Sequence, residues 1–355
     1  MRSLPIGGNP ALAASLLLPF SGPADASCRW LASGRDGYLL VARSLGEADW
    51  YIPEFICGVV PQTLRAASVP CIPYRPGELR QAWRTGGRRR ISVLSWDVAD
   101  SPHPADQATV ADGREYCLED RCLWAGLPGQ APLPAEKTFM VGSLRKWLGV
   151  AEGGWVRAGS ALSEPDTDPN AVPAKHVLSQ LANSALRRLR GGSGAPGGDT
   201  WMEDANVALG VAAEKSLGIP QVPRPISVLG MTLAQAAASG TELQREGRLR
   251  TALAVQALAG GSLPQLSAGV LGLRIRCEER DSVLRRLAEA AIYAPVHWRD
   301  GNWSGAPGIA GDLAEMTLTL PCPPLTDDNQ ANYLERLAPI LTSFNCKIVS
   351  SNRAL

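Results

Sequence analysis

Apolar and polar positions between residues 48 and 158 fall into short hydrophobic runs separated by stretches with helical spacing. Runs at 50–52, 69–73, 91–96, 116–118, 139–141 and 154–157 predict strands. A helical pattern through Tyr38, Leu39, Leu40, Val41, Ala42 and Leu45 precedes them. A helix over 58–67 and a helical turn over 79–83 lie between them. The strands are apolar without alternation, which predicts a mainly parallel sheet covered by helices on both faces. Ligands of such sheets sit at the carboxyl ends of strands. The run 116–118 delivers Glu119 and Asp120 there, and 139–141 delivers Ser143 and Lys146.

The pattern changes beyond residue 160. A polar, proline-rich loop over 163–173 leads into a helix over 174–189, with Leu178, Leu181, Ala185 and Leu189 on one stripe. The glycine-rich text of 190–200 predicts a flexible connector, and helices over 201–217 and 243–258 follow. From Val270 onward the order is strand 272–277, helix 281–291, a loop with His297, strand 316–320 and helix 327–344. That order predicts a small α+β unit. The expected division is a large domain over 1–240, with an irregular leading segment over 1–30 and the connector near 190–200, and a small C-terminal α+β domain over 241–355.

Composition narrows the class. A chain of 355 residues, 45% hydrophobic and 19% charged, can bury one large core and a smaller second one. A net charge of +1 gives no reason to expect nucleic acid or an anionic membrane as partner. The run Arg88, Arg89, Arg90 follows two glycines and precedes a strand, so it reads as a solvated loop. The apolar stretch 11–20 is too short to span a bilayer and lacks the basic flank of a signal peptide. The cysteines form no C-x-x-C pair, and with three histidines no metal site is expected. Free thiols and a cytoplasmic location are the expectation.

Lysine occurs only at 137, 146, 175, 215 and 347. Lys146, with Ser143 three residues before it and Trp147, Leu148 and Val150 beside it, has two readings. It is a lysine that forms a Schiff base with pyridoxal 5'-phosphate (PLP), or one that snorkels from a strand end. Ser33, Gly34 and Arg35 directly precede a helix, where outward N–H groups suit a phosphate or serve an ordinary glycine-assisted cap. Asp120 is placed to hold a pyridine nitrogen protonated, which makes the cofactor ring an electron sink.

The text carrying these residues resembles the DegT-type PLP-dependent enzymes, the sugar-aminotransferase-like branch of fold type I. Matching stretches are IGG at 6–8, SGR at 33–35, IPEFICGVV at 52–60, YCLEDR at 116–121 and SLRKWLGVAEGGW at 143–155. They continue with ERD at 279–281, IYAPVHW at 292–298 and LPCPPLTDDNQANYL at 320–334. The resemblance implies a fold type I PLP-transferase in which Lys146 is the Schiff-base lysine and Asp120 the pyridinium partner. It implies that Ser143, Ser33, Gly34 and Arg35 line the phosphate, that residues 55–57 pack on the ring, and that the enzyme is a homodimer with shared sites. The implied reaction moves an amino group from an amino acid donor to a keto acceptor, a keto-sugar or a biosynthetic intermediate. Leu123 stands where relatives carry glutamine or histidine, and 95–97 lacks their histidine–aromatic–glycine text. These departures keep two alternatives open: a PLP-dependent lyase, dehydratase or substitution enzyme, and a non-catalytic partner protein on the same fold. His297 is a candidate for a substrate carboxylate or hydroxyl, or simply bonds a loop carbonyl. Arg145 is a candidate for the phosphate or a partner-subunit carboxylate, or forms an ordinary surface ion pair.

Overall fold

A computed structural model describes residues 6–7, 27–84, 88–97, 101–111, 113–148, 150–159, 162, 172–180, 182, 200–238, 241–259, 266, 269–299, 301–305 and 309–350. The expected connector, most of the polar loop before it, the end of the helix over 174–189 and the apolar stretch 11–20 lie outside these residues.

The central sheet has seven strands. In chain order they are β2 (Cys28–Leu31), β3 (Ala48–Pro53), β4 (Cys71–Tyr74), β5 (Arg89–Ser95), β6 (Tyr116–Arg121), β7 (Thr138–Ser143) and β8 (Gly154–Ala158). Their spatial order is β2-β8-β7-β6-β5-β3-β4. Every neighbouring pair is parallel except those of β8, which is antiparallel to both β2 and β7. The mainly parallel sheet read from the sequence is therefore present. β2 lies in the segment expected to be irregular, because four residues containing an arginine make a weak strand signal. The register sets Ser95 beside Asp120, Asp120 beside Val141, and Ser143 and Leu31 beside Gly154. The carboxyl ends of β2, β7 and β6 thus meet along one edge of the sheet.

Both faces are covered. Tyr38 and Val41 of α1 (Gly34–Leu45) and Leu64 of α2 (Val59–Ala66) pack on Trp50, Ile52, Ile91, Val93, Leu118 and Val141. Across the sheet, Tyr51, Tyr74, Leu94 and Cys117 pack with Leu79 of α3 (Leu79–Ala82). Each fully buried aliphatic side chain of this kind contributes about 1.5–3 kcal/mol. α1 settles unusually close to the sheet because Gly37 has no side chain. A Cβ there would stand 2.9 Å from a methyl of Val156 and 3.0 Å from one of Val141. After α4 (Pro104–Val110), the described part of the next helix, α5, covers 174–180. Helix α6 (Thr200–Leu217) brings Glu214 back to α1.

The C-terminal part builds a second core. Antiparallel strands β9 (Gly272–Arg276), β11 (Thr317–Pro321) and β12 (Lys347–Ile348) present Leu273, Ile275, Leu318 and Leu320. These pack on Ala252 and Val255 of α8 (Thr241–Ala259), Val283 and Leu287 of α9 (Arg280–Glu289), and Tyr333, Leu337 and Ile340 of α11 (Asp327–Ser343). Four elements here had no sequence signal: α7 (Val228–Ala238), β10 (Ile292–Tyr293), α10 (Ile309–Met316) and β12. β1 (Ile6–Gly7), from the leading segment, pairs in parallel with β10, so the start of the chain attaches to the C-terminal core.

Candidate active site

Asp120 lies inside β6, one residue before its end. It is 4% exposed and accepts a hydrogen bond from the Cys122 N–H at 2.8 Å. Burial pushes its carboxyl up from the usual range. The Cys122 N–H, Tyr38 and the Lys146 charge act in the opposite direction.

Lys146 ends a single 3₁₀ turn, Leu144–Lys146, that begins directly after β7. The turn is pinned by Leu144, fully buried, whose N–H donates to the Gly153 carbonyl at 3.0 Å. Trp147 and Leu148 drop into the core beside Trp155. The flanking apolar residues therefore anchor the turn rather than enclose the amine, and the Lys146 side chain is exposed at the mouth of a cavity. An apolar neighbourhood in the sequence is a poor guide to burial of the lysine itself.

Ser33 caps α1, and its hydroxyl donates to Asp36 at 2.6 Å. Asp36 is fully buried and ion-paired to Arg224 at 2.8 Å. The Ser33 O–H expected to face a phosphate is thus committed to Asp36. What the turn offers instead is the set of first-turn N–H groups that no helix can satisfy internally. Gly34 is required here: a Cβ would fall 2.6 Å from the Cys122 sulfur. The Arg35 guanidinium donates to Glu214 and to the Gly218 carbonyl, both at 2.7 Å. Arg145, only 9% exposed, meets the other oxygen of Glu214 at 2.6 Å. The bridge is part-buried, since the Glu214 side chain is 40% exposed, and it is an ion pair as one of the readings had it. Burial alone would raise the Glu214 carboxyl, but the charges of Arg145, Lys146 and Arg35 hold it well below the usual range. Burial, and then the nearby Arg145 charge, lower the Arg35 pKa against the pull of Glu214.

Ser33, Gly34, Arg35, Asp120, Ser143, Arg145 and Lys146 line one cavity that opens to solvent. Cys57 joins them, and residues that sequence reasoning did not assign complete the lining: Tyr38, Val59, Val60 and Cys122. Tyr38 was within reach, since it stands four residues after Gly34 on the same helical face. Glu214 was not, because nothing in a long helix marks which acidic residue returns to the site.

His297 is not among the cavity-lining residues. One ring nitrogen lies 2.9 Å from the Thr319 hydroxyl. Burial, then the charges of Lys146 and Arg274, push its pKa down to about 3, so the ring is neutral at physiological pH. Nor does Phe55 line the cavity. It is 3% exposed and meets Trp298 edge-on at 5.1 Å, with Leu123 in the same cluster, so of 55–57 only Cys57 faces the cavity. Over these rings lies Arg274, paired with Asp97 through two contacts at 2.6 and 2.7 Å.

No family model matches the chain, and no curated protein sequence does. Solved structures do. The sugar aminotransferase CalS13 from Micromonospora echinospora is 14% identical, with a TM-score of 0.54, over 88% of this chain and 87% of that one. A DegT DnrJ EryC1 StrS aminotransferase from Brucella abortus is 13% identical, with a TM-score of 0.55, over 93% and 91%. An SPT variant with PLP is 12% identical, with a TM-score of 0.56, over 89% and 72%. At these identities the likeness speaks for the fold. The chain has the fold of the DegT-type aminotransferase structures, the fold type I architecture read from its motifs.

Proposed function

We propose that this chain is a PLP-dependent enzyme that moves an amino group from an amino acid to a keto substrate. The observation that carries the reading is the meeting of Asp120, Lys146 and the amino end of α1 in one cavity. The solved structures of the same fold include one described as a sugar aminotransferase and one with PLP, which supports both the reaction and the cofactor. Bound there, PLP would supply an electron sink for charge developing on the substrate carbon. Asp120 would hold the pyridine nitrogen, and its low exposure keeps water from competing. Lys146 would hold the cofactor's aldehyde carbon and then, as a mobile amine at the cavity mouth, take and return the substrate proton. The N–H groups of α1, Ser143 and the Arg35–Arg145 pair would hold the phosphate. The open side of the cavity, with Lys146 exposed, suits a site that a second copy of the chain completes.

The visible spectrum of the purified protein with PLP tests this. A band above about 400 nm that is lost in Lys146→Ala is expected. A protein that stays colourless at every PLP concentration overturns the proposal. One observation favours a second reading, a PLP-dependent lyase, dehydratase or substitution enzyme. Leu123 is buried against Phe55 and Trp298 and offers the cofactor's phenolic oxygen no hydrogen bond. A single turnover with glutamate decides: formation of 2-oxoglutarate supports amino transfer, and failure with every amino donor supports the second reading.

A further inference from the structure

Cys277 and Cys346 are two buried thiols that the proposed chemistry does not use. β12 pairs with β9 in antiparallel register, Lys347 opposite Arg276 and Ile348 opposite Ile275. One more step of that register sets Cys346 opposite Cys277. Neither N–H of this pair crosses to the other strand. Cys277 donates to the Met316 carbonyl at 2.9 Å, and Cys346 to the Leu341 carbonyl at 3.2 Å. The two therefore form a non-hydrogen-bonded pair, in which facing Cα atoms approach to about 4.5 Å and side chains come closest. A disulfide accepts Cα separations of about 4.4–6.8 Å. The two sulfur atoms lie 3.2 Å apart as free thiols, in residues 1% and 5% exposed. β12 is a two-residue edge strand, so it parts from β9 at small cost and opens the pair to a reagent.

We propose that Cys277 and Cys346 are a cross-strand disulfide site, closed by exchange with a low-molecular-weight disulfide such as oxidised glutathione. In the first step the Cys346 thiolate attacks one glutathione sulfur, forming a mixed disulfide and releasing one glutathione thiolate. The Cys277 thiolate then attacks Cys346 Sγ, forms the Sγ–Sγ bond and releases the second glutathione. Two protein thiols are oxidised, one glutathione disulfide is reduced, and the two thiol protons pass to the leaving thiolates. Cys346 attacks first because it is the more exposed of the two. The hydrogen bond between them also lowers its pKa while raising that of Cys277. The bond spans 69 residues of sequence, from the end of β9 to the start of β12, and so staples most of the C-terminal core. None of this depends on the PLP reading.

The test uses the reduced full chain, folded and without denaturant, incubated with oxidised glutathione and then unfolded, alkylated and digested for mass spectrometry. A linked peptide pair holding Cys277 and Cys346 is expected, lighter by two hydrogen atoms than its reduced parts together. The oxidised chain should unfold at a temperature about 5 °C or more above the reduced one, and dithiothreitol should reverse both changes. Cys346→Ala should give neither the linked pair nor the shift, while Cys71→Ala should keep both. Glutathione retained on either residue without a link, links among other cysteines in place of this one, or all eight thiols left free would overturn the proposal. So would a linked pair with an unchanged unfolding temperature, since the bond would then have formed in an opened chain and not across the native strands.

Discussion

The pair Asp97–Arg274 joins the carboxyl end of β5 to β9 of the C-terminal core, and it sets up a prediction with a definite size. Arg274 is 1% exposed and Asp97 4%, and the two contacts at 2.6 and 2.7 Å form a fork-to-carboxylate pair. Asp97→Ala removes both charged hydrogen bonds and leaves the guanidinium with weaker partners: the Thr317 hydroxyl at 3.2 Å, the His297 carbonyl at 3.4 Å and the rings of Phe55 and Trp298. Two hydrogen bonds to charged groups are worth about 3–6 kcal/mol. Removing one partner of a buried pair costs about 3–5 kcal/mol. The two routes agree, and a loss of about 3–5 kcal/mol is expected for Asp97→Ala. The double variant Asp97→Ala with Arg274→Met has no buried charge to strand and is expected to lose less than either single variant. Urea unfolding followed by tryptophan fluorescence measures all four corners of the cycle, and Trp298 reports directly from the contact. A single-variant loss below about 1 kcal/mol, or a double variant equal to the sum of the singles, would refute the account.

The other predictions concern pH, backbone fit and packing. His297 has a folded pKa near 3 against about 6.5 unfolded, so the unfolded chain binds the extra proton and stability falls as pH drops through that window. His297→Gln should flatten this acid limb, by at most about 1.4 kcal/mol per pH unit, in urea midpoints measured from pH 7 to 4; an unchanged slope would count against the burial. Gly154→Ala would place a Cβ 2.3 Å from the Ser33 carbonyl carbon and 2.7 Å from the Gly34 nitrogen, both backbone. It should cost about 1–3 kcal/mol and weaken PLP binding by shifting the start of α1, whereas wild-type affinity would show that this turn does not hold the phosphate. Leu123→Gln buries an amide among Phe55, Trp298, Ala310 and Leu313, so thermal unfolding should show a loss of about 1–3 kcal/mol; a stabilised variant would mean that a polar partner waits there.

The sheet was legible because its strands are buried on both faces, and burial on both faces writes an uninterrupted apolar run. β2, β10 and β12 left no such trace, since edge or two-residue strands need little of it. The cavity was legible where residues sit on strand ends, as Asp120 and Lys146 do, because parallel topology alone puts strand ends together. Side chains that cross from other elements were not. Glu214 reaches Arg35 across 179 residues of sequence and Arg145 across 69, and Arg274 reaches Asp97 across 177.

Asp97 and Leu123 show what the sequence alone could not say about its unusual positions. Read alone, Leu123 marks the loss of a polar group and Asp97 an altered strand end. In the structure, Asp97 holds Arg274, Arg274 covers Phe55 and Trp298, and Leu123 completes the same apolar cluster. The two residues therefore belong to one packed cluster, held by a buried ion pair. Asp120, Lys146 and the α1 turn line a cavity to which none of these residues contributes, and their positions depend on β6, β7 and Gly34. That cluster can therefore vary while Asp120 and Lys146 keep their register on β6 and β7.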